Sequence, residues 1–437
     1  MADTQKHTFQ LEFIGEYFPR GGETTIIFLF RQVEQIRSHV ERLLTRKVKL
    51  QHMERTEQID NLLEKKNADG FLIIDNSENS SFYYLTKLEV HDPVYYLRIQ
   101  EKSVLMVPPI EYSRAEEEAE VDEVINTAEF EEGDIRRDKE AKFKALKELL
   151  KENSIEKLAV PENFSSGTAD RLGEEGLEIK PVPDPVEKQR SIKTEEEIEN
   201  LREAQKVTEQ TMQEAEKILE ESKIEGNRIY YQGEVLTSEK LKAELHKYLL
   251  DQGFELTDTV VASGKQSSDP HQTGSGPLKP HKPIIIDLFP RHPSGYHGDM
   301  TRTFVKGEAS EKLKEMEKAV KSAQKKAFQS LEEKGVTGEE MNNTVCQVFE
   351  GLGFQTLRQG DIDQGFLHSV GHSIGLDAHE PPRLGPSGGE LKPGMVLTIE
   401  PGLYNPEVGG LRFEDMVLVK EEGYENFNSM HKKMEID

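Results

Sequence analysis

Five residues in the second half of the chain are of the types that hold divalent metal ions. They are four carboxylates and one imidazole: Asp287, Asp299, His372, Glu400 and Glu414. Carboxylates can bridge two cations and offset part of the repulsion between them, so this set suits a pair of hard or borderline divalent ions. Two such ions can lower the pKa of a shared water enough to supply hydroxide near neutral pH. The set therefore predicts a metal-dependent hydrolase.

Each of these residues also has a structural explanation when it is taken alone. Asp287 follows the apolar run Ile284–Ile286 and can start a turn, and Gly298-Asp299 is itself turn-like. Glu400 precedes Pro401-Gly402, which is another turn signature. Turns do not account for carboxylates at the ends of several successive strand candidates together with a concentration of histidines. The combination favours a site.

Three histidines lie within twelve positions of a glycine-rich segment. His368 and His372 are four residues apart, which places them on one face of either a helix or a strand, and His379 follows seven residues later. The pattern differs from the zinc-protease helix, because that motif carries Glu directly after the first histidine and Ser369 stands here. A lone histidine is more often structural. Three of them, where glycine lets the main chain approach a substrate closely, favour a binding site.

The chain is predicted to form two domains and a short extension. Apolar runs alternate with charged helical segments over residues 55–185, which indicates an α/β domain. Residues 186–437 carry all five candidate metal ligands and are expected to form a second domain. Residues 1–54 are expected to be an N-terminal extension, in which Gln32–Leu44 has helical spacing.

A linker is predicted between the domains. Three prolines in Pro181–Pro185 remove backbone donors and disfavour regular structure. Thr194 and Glu197 then have the spacing of a capping box, which predicts the start of a long helix.

The order of predicted elements in the second domain repeats. Two helices precede three strands in each half, so two similar halves would face each other across a cleft. The second strand of each half ends in a carboxylate, Asp287 in one and Glu400 in the other. The strand candidates of the second half are residues 366–370, 395–400 and 410–419.

The composition excludes several classes of partner. The 437 residues include 82 Asp and Glu against 56 Lys and Arg, a formal charge of -26, which repels nucleic acid and anionic membranes. No apolar run approaches the roughly 20 residues needed to cross a bilayer, and the chain lacks a signal-like start, so a cytoplasmic location is expected. The single cysteine, Cys346, cannot form an internal disulfide and is expected to be a packed thiol.

A series of short motifs runs through the second domain: Ser263-Gly264 leading to His271, Ile286-Asp287, Gly298–Thr303, His368–His372, Glu400–Tyr404 and Arg412–Asp415. In order and approximate spacing they resemble the creatinase/aminopeptidase P/prolidase family of dinuclear-metal peptidases. The resemblance is firm over residues 186–437 and looser over residues 55–185. It implies an α+β protein, in which an N-terminal α/β creatinase-like domain precedes a catalytic domain with the pita-bread fold.

The resemblance implies a role for each metal ligand. Asp287 would bind one ion, Asp299 and Glu414 would bridge both ions, and His372 and Glu400 would complete the second site. Oxygen-rich ligation favours Mn, although Co, Fe or Zn could occupy the same centre.

The resemblance also implies catalytic roles. Glu400 would act as the general base. His271, His368 and His379 would hold the substrate and the developing oxyanion. Arg412 would orient a ligand carboxylate from behind, a task that suits a planar and permanently charged group.

An aminopeptidase that removes an N-terminal residue preceding proline is the preferred prediction, and the preference for proline comes from the resemblance alone. An Xaa-Pro dipeptidase is a close alternative, and a small-amide hydrolase of the same fold is another. A non-catalytic binding protein is disfavoured, because such members typically lack metal ligands that are present here. A homodimer is expected from the resemblance.

One departure from the family concerns the spacing of the first two ligands. Asp287 and Asp299 are twelve positions apart, one more than in the commonest members, and Leu288-Phe289 stands where many carry a small residue and glycine. An insertion in the hairpin Phe289–Tyr296 would absorb the difference without moving either carboxylate. The shape of the substrate pocket is therefore expected to differ more than the metal site.

Overall fold

The computed structural model describes residues 55–130, 139–255, 258–360 and 362–437. All the strands and helices named below belong to the unit Gln58–Asp437. The predicted extension over residues 1–54, with its helix Gln32–Leu44, lies outside the described residues. Within the described part of the chain, no helix combines the length and the apolarity that a bilayer crossing requires.

The first domain is built on a mixed six-stranded sheet. Its strands are β1 (Gly70–Asp75), β2 (Val94–Ile99), β3 (Lys102–Val107), β4 (Glu123–Asn126), β5 (Lys157–Pro161) and β6 (Glu178–Val182), and its helices are α1 (Ser80–Thr86), α2 (Pro109–Glu118), α3 (Lys139–Glu152) and α4 (Ser166–Glu174). The spatial order is β4-β3-β2-β1-β5-β6. Along β1, Phe71 and Ile73 enter one core and Leu72 enters another, as a two-residue period requires. The sheet is therefore covered on both faces, and the predicted α/β architecture is confirmed.

The segment predicted as a proline-rich linker is in part a strand. Pro181 lies within β6, at the edge of the sheet, where proline is tolerated because its missing N–H can face away from the neighbouring strand. A short helix, α5 (Glu187–Ser191), follows and leads to α6 (Glu195–Glu221). The predicted capping box is confirmed, since Thr194 and Glu197 each accept the other's main-chain N–H through a side-chain oxygen.

The second domain contains two similar sets of helices and strands. Its remaining elements are α7 (Ser238–Asp251), α8 (Glu311–Ser330), α9 (Gly338–Gly351), β7 (Lys223–Glu225), β8 (Arg228–Tyr231), β9 (Glu234–Val235), β10 (Thr259–Ser263), β11 (Ile284–Leu288), β12 (Met300–Lys306), β13 (His372–Ser373), β14 (Glu380–Arg383), β15 (Val396–Ile399), β16 (Gly402–Asn405), β17 (Gly409–Arg412), β18 (Asp415–Val419), β19 (Tyr424–Asn426) and β20 (Glu435–Ile436). The two main sheets have the orders β10-β11-β12-β20 and β14-β13-β15-β18-β19. In the first half α6 and α7 precede the strands, and in the second half α8 and α9 do so.

Two strand predictions in the second half are wrong in detail. Residues 366–370 form no ladder, and Val370 donates its main-chain N–H to the carbonyl of Leu384 instead. Phe366 makes one isolated bridge, to Thr356, and the strand begins only at His372. The predicted single strand over residues 410–419 is divided into β17 and β18, because the chain leaves the ladder at Phe413 and Glu414.

One apolar core joins the two domains. Phe82 and Tyr84 of α1 belong to the same buried cluster as Tyr296, Ile374 and Leu376 of the second domain. Burial of apolar surface contributes roughly 25 cal/mol per Å², so a shared core of this kind holds the two domains in one arrangement. The predicted hairpin around Phe289–Tyr296 lies at this junction, since Tyr296 at its end belongs to the shared cluster.

Cys346 is a packed thiol, as predicted. It lies in α9, and only 3% of its surface is exposed. Burial raises the pKa of its thiol, which makes the residue less nucleophilic.

Candidate metal centre

The first two predicted ligands come from neighbouring strands of one sheet. Asp287 is the fourth residue of β11, and Asp299 directly precedes β12. The two strands are antiparallel, with Asp287 opposite Thr301. Residues two apart along a strand share a face, so Asp299 and Thr301 point to the side on which Asp287 lies. The first half therefore presents two carboxylates together.

The second half presents its carboxylates in a similar way. Glu400 directly follows β15, and Glu414 directly precedes β18. These strands are antiparallel, with Ile399 opposite Asp415, so the two glutamates leave the sheet at the same end. His372 begins β13, which pairs with β15 on its other side.

Side chains from the two halves meet at one point. Ligand atoms of Asp299, His372 and Glu414 all lie within 4.8 Å of one another, and all three residues are buried. His372 Nε2 lies 3.8 Å from Asp299 Oδ2 and 3.5 Å from Glu400 Oε1. Neither half alone contains this set, so the site exists only because the two halves face each other.

His372 is oriented as a neutral ligand. Its Nδ1 lies 3.1 Å from the carbonyl oxygen of Ser373, and this contact requires the proton on Nδ1. The lone pair of Nε2 is then directed towards the carboxylates. Burial, with a smaller effect from His379, lowers the pKa of His372 to about 3, so the ring carries no charge near neutral pH.

The carboxylates are crowded and repel one another. Burial raises the pKa of Asp299 well above its usual range, and the charges of Glu414, Asp287 and Glu400 raise it further. Burial and the charge of Asp287 raise the pKa of Glu414 to about 7. Hard oxygen donors with one imidazole are the ligands that divalent ions such as Mn²⁺ and Zn²⁺ accept, and cations would relieve this repulsion. The donor set therefore fits a pair of divalent metal ions.

Arg412 connects the carboxylates from behind. Its Nη2 donates to Asp287 Oδ2 at 2.5 Å, and its Nε donates to Thr301 Oγ1 at 3.1 Å. The hydroxyl of Thr301 lies 2.9 Å from Asp287 Oδ1 and 2.8 Å from Glu414 Oε2. Arg412 Nη1 also donates to Tyr404 Oη at 3.0 Å. One guanidinium therefore orients Asp287 directly and reaches Glu414 through Thr301.

His368 lies beside this network. Its Nε2 is 2.9 Å from Tyr404 Oη, and its Nδ1 is 2.7 Å from the carbonyl oxygen of Ser369. Burial, followed by the charge of Arg412, lowers its pKa to about 3. A neutral His368 is thereby held with a fixed ring orientation.

The other two predicted substrate histidines differ in exposure. The ring of His379 meets the ring of His372 edge-on, with centroids 4.3 Å apart, and burial lowers its pKa. His271 is exposed, and its main-chain N–H donates to Asp269 Oδ1. It is close enough to His368 to contribute to the lowered pKa of that ring. The structure thus brings His368 and His379 to the carboxylates and leaves His271 at the surface.

Family models identify both parts of the chain. The model of metallopeptidase family M24 matches residues 199–421, which is more than half of the chain. The chain belongs to metallopeptidase family M24. The model of the creatinase/prolidase N-terminal domain matches residues 55–192. The protein is therefore a metal-dependent peptidase with a creatinase-like α/β domain before an M24 pita-bread domain, and the predicted family, fold class and enzyme class are confirmed.

Three relatives of this M24 protein align over nearly their whole length. The Xaa-Pro dipeptidase of Pyrococcus horikoshii is 28% identical over 392 residues, which are 87% of this chain and 98% of that protein. The crystal structure of the prolidase from Pyrococcus horikoshii OT3 has a TM-score of 0.72 at 28% identity and covers 87% of this chain and 99% of its own. The structure of the X-Pro aminopeptidase from Thermotoga maritima has a TM-score of 0.71 at 25% identity, covering 85% and 98%.

Two further residues of the M24 centre lie within the sequence motifs, although the sequence assigned them no role. Thr301 could have been found, because its position two residues after Asp299 on a strand fixes its face. Tyr404 contacts both His368 and Arg412 through its hydroxyl group, and burial raises its pKa to about 12. No spacing rule reveals that hydroxyl, because its partners come from separate segments.

A second buried acidic cluster lies next to the M24 centre. Glu380 follows His379 directly and accepts hydrogen bonds from Arg190 Nη2 at 2.5 Å and Lys193 Nζ at 2.9 Å. Arg190 also donates to Asp377 Oδ2 at 2.5 Å. Because Arg190 and Lys193 lie between the two domains, this cluster fixes the His379 segment to the junction.

Proposed function

We propose that this M24 metallopeptidase is an Xaa-Pro dipeptidase. The observation that carries the proposal is the convergence of four carboxylates and His372 from the two halves of the domain. The similarity to Xaa-Pro dipeptidases over almost their full length supports the choice of substrate. An Xaa-Pro aminopeptidase, which the sequence favoured, is the second candidate, and the similarity to the Thermotoga maritima enzyme supports it.

Five residues are proposed to hold two divalent metal ions: Asp287, Asp299, His372, Glu400 and Glu414. Mn is the proposed native metal, because most donors are carboxylate oxygens. When bound, such ions supply a Lewis acid and lower the pKa of water. Elemental analysis of the purified protein tests both the identity and the number of ions.

The chain itself supplies proton transfer and orientation. Glu400 takes a proton from the attacking water while the water oxygen bonds to the carbonyl carbon. The bond from that carbon to the proline nitrogen then breaks, and the nitrogen receives the proton. Neutral His368 directs its Nδ1–H at the carbonyl oxygen of Ser369 and its Nε2 at the hydroxyl of Tyr404, so it holds that hydroxyl in place instead of donating to the substrate. His379 and His271 donate hydrogen bonds to the substrate and to the developing oxyanion. Such groups typically contribute about 100- to 10,000-fold in rate.

Arg412 is proposed as a positioning residue. Its bond to Asp287 Oδ2 and its contact with Thr301 hold two carboxylates in a fixed relation. A planar guanidinium can make both contacts at once, which a lysine cannot.

A pair of peptides tests the proposed substrate. Purified protein supplied with Mn²⁺ should release proline from Ala-Pro and leave Ala-Pro-Ala intact. Cleavage of both peptides would favour the aminopeptidase, and cleavage of neither by a metal-loaded protein would exclude both candidates. A homodimer in the cytoplasm is also proposed, and light scattering after gel filtration tests the oligomeric state.

A further inference from the structure

Gln205 is a fully buried polar residue whose side-chain amide forms two hydrogen bonds with the main chain of Asp299. Its Oε1 accepts the N–H of Asp299 at 2.7 Å, and its Nε2 donates to the carbonyl oxygen of the same residue at 2.7 Å. The Nε2 group also donates to Asn428 Oδ1 at 3.0 Å. Both main-chain groups of Asp299 are therefore fixed by one side chain of α6.

Gln324 occupies a comparable position in the other half. This residue of α8 has 2% of its surface exposed. Its Nε2 donates to the carbonyl oxygen of Ile399 at 2.9 Å and to that of Phe413 at 3.1 Å. Glu400 and Glu414 come directly after these two residues. One amide thus ties together the two points at which the chain turns into the site.

Both glutamines stand where an apolar residue would be expected. They lie on the buried faces of α6 and α8, among residues such as Leu201, Ala204 and Val320. Glutamine is mostly exposed in proteins, and a buried amide is costly unless it is hydrogen-bonded. The main-chain groups that bond to these two glutamines lie where β12 begins, where β15 ends and where the chain crosses from β17 to β18. An apolar side chain could not bond to any of them.

The correspondence follows the internal repeat. In each half, the first long helix contributes one buried glutamine, and that glutamine contacts the main chain at or directly before a carboxylate of the centre. We propose that Gln205 and Gln324 are positioning residues for metal binding, Gln205 for Asp299 and Gln324 for Glu400 and Glu414 together. This inference rests on the proposed function of those carboxylates as metal ligands.

Replacement of either amide should weaken metal binding more than it weakens the fold. Gln205→Met and Gln324→Met keep the approximate length of the side chain and remove its hydrogen bonds. Partners of this kind typically contribute 10- to 100-fold to metal affinity, so titration calorimetry with Mn²⁺ should show a loss of that size in each variant. Gln324→Met should lose more Mn²⁺ affinity than Gln205→Met, because the positions of two carboxylates depend on the Gln324 amide.

Two control variants separate positioning from a general loss of stability. Thr211→Val removes a buried hydroxyl from α6 that bonds only to Val207 O among the contacts described, and Leu313→Val removes one methylene from the buried face of α8. Both should bind Mn²⁺ as the unsubstituted protein does. Stabilisation against heat by added Mn²⁺ gives a second readout, and it should shrink in the glutamine variants alone.

The outcomes are distinct. Unchanged Mn²⁺ affinity in folded glutamine variants would overturn the positioning role and leave the proposed function intact. Failure of the unsubstituted protein to bind Mn²⁺ would overturn both. If a methionine variant does not fold, Gln205→Asn and Gln324→Asn replace it, because the shorter amide stays polar but falls short of the main chain. Those variants should show the same loss of affinity, and unchanged affinity in them would overturn the inference.

Discussion

Two buried acidic clusters lie side by side in the M24 domain, and they differ in what balances their charge. Glu380 is bonded to Arg190 and Lys193, whose charges lower its pKa even though burial alone would raise it. Glu414, by contrast, faces Asp287 in a buried site, and its pKa is raised to about 7. The first cluster is completed by cations of the chain. The second has more carboxylates than Arg412 can neutralise, which is the condition that an external cation relieves.

The comparison shows how to distinguish a structural charge cluster from a functional one. Each cluster contains at least one buried carboxylate near a histidine, so composition does not separate them. The direction of the pKa shift does, because burial raises the pKa of both Glu380 and Glu414, and only at Glu380 do opposite charges outweigh it.

The largest expected effect is a loss of activity when the proposed general base in the second cluster is replaced. Glu400→Gln removes the general base and should lower kcat for Ala-Pro by about 100- to 10,000-fold. A steady-state assay with Mn²⁺ measures the loss. A Glu380→Gln protein, assayed at a temperature at which it is folded, should lose much less, and equal losses in the two variants would contradict the division of roles.

The next effect concerns the fold. Glu380→Gln leaves Lys193, whose side chain is 1% exposed, without its carboxylate partner. Removal of one member of a buried ion pair typically costs 3–5 kcal/mol, so the free energy of unfolding in urea should fall by about that amount. Asp377→Asn is the matched control, because the side chain of Asp377 is 49% exposed and its pair with Arg190 should contribute at most about 1 kcal/mol.

Metal should stabilise the protein through one cluster only. A ligand present at 100 times its dissociation constant stabilises the folded state by about 2.7 kcal/mol. Thermal unfolding with and without Mn²⁺ should show an increase of that order in the unsubstituted protein and in Glu380→Gln. Asp299→Asn should lose most of it. An equal increase in Asp299→Asn would argue against Asp299 as a ligand.

A further expected effect is a dependence of stability on pH in the metal-free protein. The pKa of Glu414 is raised from 4.5 to about 7, so the folded state binds this proton more tightly than the unfolded chain does. Its contribution is complete below pH 4.5 and disappears as the pH rises through about 7. Urea midpoints of metal-free protein at pH 5 and pH 8 should show this loss, and Glu414→Gln should reduce it. Glu380, with a lowered pKa, contributes in the opposite direction and loses its contribution as the pH falls.

Local sequence patterns predicted the positions of the carboxylates but not all their surroundings. Asp287 and Glu400 could be assigned to strand ends because apolar runs precede them. The partners of Glu380 could not be predicted in this way, since Arg190 lies 190 residues away in the chain. Residues 366–370 were assigned to a strand because most of them are apolar, although their main-chain hydrogen bonds go to separate segments and form no continuous ladder.

The glutamines show where a stronger signal was available. Gln205 follows Leu201 by four residues and Ile198 by seven, which places it on the apolar stripe of α6. Gln324 follows Val320 by four residues on the stripe of α8. A polar residue on such a stripe requires a partner, but the sequence alone does not say which main-chain group provides it.

The network around Thr301 also bears on the order of events during folding. Its bond to Glu414 joins residues 113 apart in the chain, and the bond of Arg412 to Asp287 joins residues 125 apart. Contacts across such distances form only after long loops have closed, which slows folding. We therefore expect the carboxylates to come together late in folding, so that a metal ion binds a site that is already assembled. Its main kinetic effect is expected to be slower unfolding, with the folding rate unchanged.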